Sequence, residues 1–590
     1  MIAPIRFALL LLSFCAILAP PVLAQETPAP EAQALLAGDG PPQPIGPVPM
    51  AIELNAVTDW STQQPFIDVM KTARPWIGHL PGKWGGIDHD DLAQAGYLDE
   101  NGWPMEIPPE LGSIGTVLLT SMPEQAHTLA GHYVLRFEGD GILEVKGQVS
   151  NVHYGEGEIR FDYAPNPGLV DIRIQRTDRK KTGDYLRNIT VVKEDNLAMF
   201  DAGAVFNPDF LHVLDGFGAL RFMDWMRTNN SEVMHWADRP QIDDYTYSLR
   251  GVPAEVMIDL ANLLGVDGWF NIPHLANDDY VRRLATLVHD TLWHDLSAYV
   301  EFSNEVWNWQ FKQARWADRM ARERWGKDNG WVQYYALRAS EVAAIWSDVY
   351  GADADARLIN VISTQTGWMG LERDILDPPH LKREQPERAP IASYFDAYAI
   401  TGYFGYALGK EDRAPMVHQW IADSRALAEA AADKKGLSGP ARETYVAAHQ
   451  YDVATALAWA ELRDGLSSGS EDDTLNQIVT TVFPYHAEVA REHGLDLIMY
   501  EGGTHLVGIG EMVNDDALSD FFIHLNYTPE MGTLYTELIN GWHAAGGQLF
   551  NVFSDVAGPS KWGSWGALRH LSDDNPRWDA IKAFLAPVSD

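Results

Sequence analysis

Eight short apolar runs recur along the chain: AIELNAV (51–57), GALRFMDW (218–225), GWFNIPH (268–274), AYVEFS (298–303), RLINVIS (357–363), FDAYAITGYF (395–404), LDLIMY (495–500) and QLFNVFS (548–554). Beyond residue 200 they alternate with longer stretches whose apolar residues return every three or four positions, as in VPAEVMIDLANLLG (252–265) and NDDYVRRLATLVHDTL (277–292). That spacing sets an apolar stripe along a helix, and Pro253 and Gly265 stand where a helix start and stop are expected. Further helical regions are predicted at 307–350, over most of 414–494 apart from the polar loop GLSSGSEDD, and near 527–545 and 575–586. Buried strands alternating with helices require a parallel sheet, and eight of them predict a closed α/β fold, the (β/α)8 TIM barrel, over an open sheet. No GxGxxG or GxxxxGK[ST] turn follows the first run, which argues against dinucleotide and nucleotide folds.

Between 106 and 195 the period changes. HYVLRFEGDGILEVKG, GEIRFDYAP, LVDIRIQRT and RNITVVK alternate apolar with polar residues and are divided by Gly, Pro, Asn and Asp. Period-two runs with turn residues at such intervals predict antiparallel strands, hence a small β-sandwich inserted in the barrel. The barrel then comprises 49–105 and 196–590. Carbohydrate binding and a purely structural cover are both open to the inserted module.

The N-terminus reads as a secretory signal over residues 1–24, with Arg6 before an apolar core and Val22-Leu23-Ala24 before the expected cut. Residues 25–48 follow as a tether rich in Pro, Gly and Ala. Export to a periplasm or the exterior is the expectation. The one cysteine, Cys15, falls inside the signal, so the mature chain would have no disulfide, thiolate metal site or Cys nucleophile. A formal net charge of −38 disfavours nucleic acid, anionic lipid and strongly acidic polysaccharide as partners. Beyond the signal no apolar run is long enough to span a bilayer. The oligomeric state is not legible. Abundant Trp, Tyr and Phe, many beside Asp, Asn, Gly or His, lean toward sugar binding, because pyranose rings present apolar C–H faces to aromatic rings.

In a TIM barrel function gathers at the carboxyl ends of the strands. Here the runs terminate in Asp59-Trp60, Asp224-Trp225, His274, Asn304-Glu305, Thr364-Gln365, Tyr403, Glu501 and Asp555. Glu305 and Glu501 close the fourth and seventh strands and can face one another across the mouth. Two carboxyls about 5 to 5.5 Å apart serve a retaining glycosidase, one as nucleophile and one as acid then base; a wider pair serves an inverting enzyme. Asn304 offers an amide to a sugar 2-hydroxyl. Glu301 shares the strand face of Glu305 but lies deeper, where pairing with an Arg is expected. Scattered histidines without HExxH spacing indicate no metal, no cofactor is required, and the GxSxG elbow of an esterase is absent.

SNEVWN after a fourth strand, YEGG after a seventh and W-x-x-W after the eighth resemble the clan A glycoside hydrolases. The resemblance implies Glu305 as acid/base and Glu501 as nucleophile. It further implies Arg221 as the residue orienting the nucleophile, His274 and Tyr403 as substrate contacts, and Trp562 or Trp565 as the ring that floors the subsite. Asp59, Trp60, Asp224 and Trp225 are expected to wall the cleft, with His505 as a further candidate. The expected function is an exported retaining glycoside hydrolase of a neutral, β-linked oligo- or polysaccharide. A carbohydrate-binding protein without turnover and a transglycosylase are the alternatives.

Overall fold

The computed structural model describes residues 42–585 apart from Lys327. The expected signal (1–24) and residues 25–41 of the tether lie outside the described residues. Eight parallel strands close a barrel: β1 Met50–Glu53, β2 Ala219–Arg221, β3 Asp267–Ile272, β4 Ala298–Phe302, β5 Leu358–Ser363, β6 Ala397–Phe404, β7 Asp496–Thr504 and β8 Phe550–Val552. Pairing of β8 with β1 completes the ring. The register sets Glu53 beside Arg221 and Arg221 beside Trp269, so charged residues of adjacent strands meet at one level. Strands covered on both faces are buried along nearly their whole length, as LINVIS of β5 illustrates with all but one position buried.

The helices follow their end signals. Helix Ala254–Leu264 stops at Gly265, whose φ of 67° is the left-handed turn that glycine tolerates. Helix Asp278–Thr291 is capped by Asn277, whose side chain accepts from the Tyr280 N–H at 2.8 Å. The span 307–350 holds two helices, Lys312–Trp325 and Trp331–Tyr350, because Gly326 takes a φ of 62° and ends the first.

A second core belongs to two antiparallel sheets. One has the order Gly86–Ile87, Ile77–His79, Ser113–Leu118, Val170–Thr177, Gly141–Gly147; the other runs Arg187–Lys193, Gly131–Glu138, Glu158–Tyr163, Ser150–Tyr154. Trp76, Tyr133, Phe161 and Ile172 are buried there, apart from the barrel core. Ile77–His79 and Gly86–Ile87 join the first sheet although they precede residue 106; Pro81 and Gly82, Gly85 and Gly86 cut that stretch too short for visible alternation. The sandwich is fastened to the barrel mouth. Thr120 donates from its N–H to the Asp59 carbonyl at 2.8 Å and from its hydroxyl to the Asp59 carboxylate at 2.5 Å. No described helix is long and apolar enough to cross a membrane.

Candidate active site

Beneath the mouth, β2 ends in Arg221, fully buried. Nη1 donates to Glu53 Oε2 at 3.0 Å and to Glu501 Oε1 at 3.1 Å. Nη2 donates to Glu301 Oε2 and Asn304 Oδ1, each at 2.9 Å. Burial alone would lower the pKa of this guanidinium, but the surrounding carboxylates of Glu301, Glu53 and Glu501 hold it well above the ordinary value. Glu301 is saturated: Trp269 Nε1, Asn271 Nδ2 and Ser363 Oγ also donate to it, at 3.1, 2.9 and 2.7 Å. With no acceptor lone pair turned to solvent, it anchors Arg221. Burial pushes Glu53 well above the carboxylate range against the pull of Arg221.

Glu501 and Glu305 receive different donors. Glu501 takes Arg221 on Oε1 and the Tyr403 hydroxyl on Oε2, the latter at 2.9 Å. Glu305 takes the Asn308 amide on Oε2 at 2.9 Å and the Tyr500 hydroxyl on Oε1 at 3.3 Å. Burial pushes both carboxyls upward, and the charge of Glu305 adds to the rise on Glu501. Carboxyls in this relation bind one proton more readily than they carry two charges. A guanidinium and a phenol favour the anion at Glu501 more than an amide and a long phenol bond do at Glu305. Tyr403 stays a donor, since burial and then the Glu501 charge raise its phenol well above the usual value. The turn that presents Glu305 is left-handed at Ser303 (φ 64°) and at Glu305 itself (φ 41°). Such non-glycine conformations cost about 1 to 3 kcal/mol each and persist where the surroundings enforce them.

Both carboxyls line a cavity of about 1610 Å³. Asn304 lines it too, its amide oriented by Arg221 and by Asn229, which accepts from Asn304 Nδ2 at 3.3 Å and from Gln313 Nε2 at 2.7 Å. On one wall Asp59 is ion-paired to Arg74 at 2.7 Å, and the Arg74 guanidinium lies 5.7 Å from the ring of Trp60. Ser121, Pro123 and Gln125 of the inserted module border the same wall. Asp224 is half-buried and lines the cavity, where desolvation raises it to about 6, and its N–H donates to Glu53. Trp225 is fully buried against Phe66 and Phe222 and donates from Nε1 to the Asn55 carbonyl, so it supports the floor as packing.

Beside Glu501, His505 lies between rings, with centroids 5.5 Å from Tyr403, 5.2 Å from Tyr406 and 5.1 Å from Trp565. Burial lowers its pKa to about 4, which makes it a neutral imidazole on the cavity wall. Trp565 donates from Nε1 to the Trp562 carbonyl, and Trp562 stands more exposed on the rim. Phe553 precedes a cis peptide to Ser554 and meets Trp565 edge-on. His274 is not brought to this group: it is buried against Trp316, 5.6 Å between centroids, and does not border the cavity.

Sequence reasoning missed Tyr500, Asn308, Asn229 and Glu53. In the pairing of β6 with β7, Ile400 lies opposite Met499 and Thr401 opposite Glu501, so Tyr500 is the extra residue of a bulge. The bulge breaks alternation and lets consecutive residues serve both carboxyls. Asn308, three residues after Glu305, had a helical-turn spacing that could have marked it.

No family model matches the chain, and no curated protein matches it. Among solved structures it is similar to the GH51 arabinofuranosidase from Xanthomonas axonopodis pv. citri, at 11% identity and a TM-score of 0.29, over 60% of this chain and 61% of that one. The chain thus covers less than two thirds of that enzyme. It is also similar to fungal β-1,4-galactanases, at 9% identity and 0.29, covering 60% and 85% of the two chains. The catalytic domain of β-amylase from Paenibacillus polymyxa follows at 9% and 0.25, covering 58% and 87%. Values this low assign this chain neither activity nor substrate. The barrel stands on its own strand order.

Proposed function

We propose that the chain is a retaining glycoside hydrolase acting on a neutral, β-linked oligo- or polysaccharide. One observation carries the reading: Arg221 holds Glu501 with Nη1 and Asn304, the neighbour of Glu305, with Nη2, and both carboxyls open to one cavity. Two carboxyls of unequal proton affinity beside a sugar-sized cleft suit glycosyl transfer.

In the first step a Glu501 oxygen bonds to the anomeric carbon while the bond to the leaving oxygen breaks and Glu305 gives that oxygen its proton. In the second, Glu305, now a carboxylate, takes a proton from water, whose oxygen bonds to the anomeric carbon and releases Glu501. Asn304 Nδ2 supplies a donor for the 2-hydroxyl, a contact that strengthens as positive charge grows at the anomeric carbon. Tyr403 and Arg221 hold Glu501 in line. The aromatic group around His505 and Trp565 offers apolar faces to the sugar ring. Export is part of the proposal and rests on the segment after Arg6; a mature secreted chain would begin at Gln25.

The test is turnover of a panel of aryl β-glycosides and neutral polysaccharides, with NMR of the first anomer released. The expected product keeps the β configuration, and a 2-deoxy-2-fluoro glycoside labels Glu501. An α product overturns double displacement, and a label elsewhere overturns the assignment of the nucleophile.

A further inference from the structure

On the rim, the loops after β4 and β5 carry Trp309, Trp368 and Met369, which are 44%, 51% and 44% exposed. Single exposed apolar residues are ordinary, but three large ones on adjoining loops form a patch of the kind that marks an interaction site. The two indoles share a buried support: Trp331 lies 5.2 Å from Trp309 and 6.2 Å from Trp368 between ring centroids, and it opens the long helix Trp331–Tyr350. Short turns hold the loops. Phe311 N–H donates to the Asn308 carbonyl at 3.1 Å, and Trp368 N–H donates to the Gln365 carbonyl at 3.2 Å.

The patch is continuous with the site. Gln365, Gly367 and Met369 line the catalytic cavity, and Trp309 follows Asn308, the residue whose amide binds Glu305. The leaving oxygen departs toward the acid, so sugar units beyond it must run over the loops next to Glu305. Trp60 and the module residue Gln125 line the same cavity.

We infer that Trp309, Trp368 and Met369 form a leaving-group subsite for a neutral polysaccharide chain, whose C–H faces stack on the two indoles; the substrate is then a polymer bound well past the cleavage point. This inference rests on the hydrolase reading for the direction of the chain.

The decisive comparison uses the full chain and the double variant Trp309→Ala/Trp368→Ala, with Trp293→Ala, an exposed indole in the loop entering β4, as control. Expected for the double variant is a fall of about 10- to 100-fold in kcat/KM on the best neutral β-glucan, mannan, xylan or galactan, mostly through KM, as about one or two tenfold contacts are removed. Turnover of an aryl β-glycoside stays within about twofold. Equal loss on both substrates, or loss on neither, overturns the subsite. A dimeric parent that the double variant makes monomeric in sedimentation, with polymer turnover unchanged, reassigns the patch to self-association.

Retardation of the Glu305→Gln variant in polysaccharide gels separates this inference from the hydrolase reading. If no glycoside is cleaved but retardation occurs and is lost with the two Trp, the hydrolase reading fails and the sugar-chain surface stands. Turnover of aryl glycosides without any retardation leaves the hydrolase reading standing and sinks the surface.

Discussion

Glu501 and Glu305 close two strands of one barrel and share one cavity, yet they are bound in different ways. Glu501 sits in a charged grip, with a buried guanidinium on one oxygen and a phenol on the other. Glu305 has only an amide and a long phenol bond. Burial raises both, so position in the fold does not separate their roles. The donors differ, and the proposed roles rest on that difference, because a hydrogen bond to a carboxylate stabilises the ionised form and a charged donor does so most strongly.

The contrast breaks first if the two carboxyls prove interchangeable. Glu501→Ala is expected to lower kcat by roughly 10⁴- to 10⁶-fold on every glycoside, in line with loss of a nucleophile. Glu305→Ala is expected to lose about 10²- to 10⁴-fold on substrates with poor leaving groups and little on activated aryl glycosides, measured across a leaving-group series. A flat dependence on leaving group in the Glu305 variant would return that residue to a structural role.

Next in size is the anchor. Removing Arg221 leaves Glu53, Glu301 and Glu501 together without their cation, and Arg221→Met is expected to cost about 3 to 5 kcal/mol in urea unfolding.

Smaller changes sharpen the difference between the two donor sets. Tyr403→Phe removes a bond that lowers the proton affinity of Glu501, so kcat/KM should fall roughly 10- to 100-fold and the acid limb of the pH profile should move up. Asn308→Ala removes a bond that lowers the proton affinity of Glu305, so the alkaline limb should move up with a loss of about tenfold or less. Movement of the same limb by both variants would contradict the separate assignments.

A further effect concerns stability. Burial raises Asp555 from the ordinary 3.8 to about 7, so the folded chain keeps a proton there that the unfolded chain releases; stability is undiminished below about 4 and falls as pH rises through about 7. His505, lowered from 6.5 to about 4, acts in the other sense: stability is undiminished above about 6.5 and falls as pH drops toward 4. Asp555→Asn should therefore narrow the Tm difference between pH 5 and pH 8, read by calorimetry.

Much of the barrel was legible because each buried strand is a short, mostly apolar run flanked by turn residues, a pattern that needs no partner to be seen. The strand-end carboxyls were legible for the same reason: a Glu directly after Leu-Ile-Met-Tyr has no surface to reach. His274 lies away from the cavity and Trp225 lines it from a fully buried position; an aromatic residue at a strand end has the same signature whether it faces the cleft or the core. Trp225 packs on Phe66 beneath the cavity wall, and His274 packs on Trp316. Tyr500 was hidden because period-two alternation points it away from Glu501, and only the extra residue in the β6–β7 pairing reverses that. The strands Ile77–His79 and Gly86–Ile87 are so short that they become strands only through their neighbours in the sheet.

The sequence by itself determined the order of strands and helices and the chemical kind of residue at each strand end, because these depend on local periodicity and burial. Only the tertiary structure decided which donor meets which carboxyl: Arg221, Glu53, Glu301, Asn304 and Glu501 come from four strands, β1, β2, β4 and β7, and meet where closure of the barrel brings them together. Proton affinity in a buried cluster is set by neighbours within a few ångströms, and those neighbours exist only after the ring has closed.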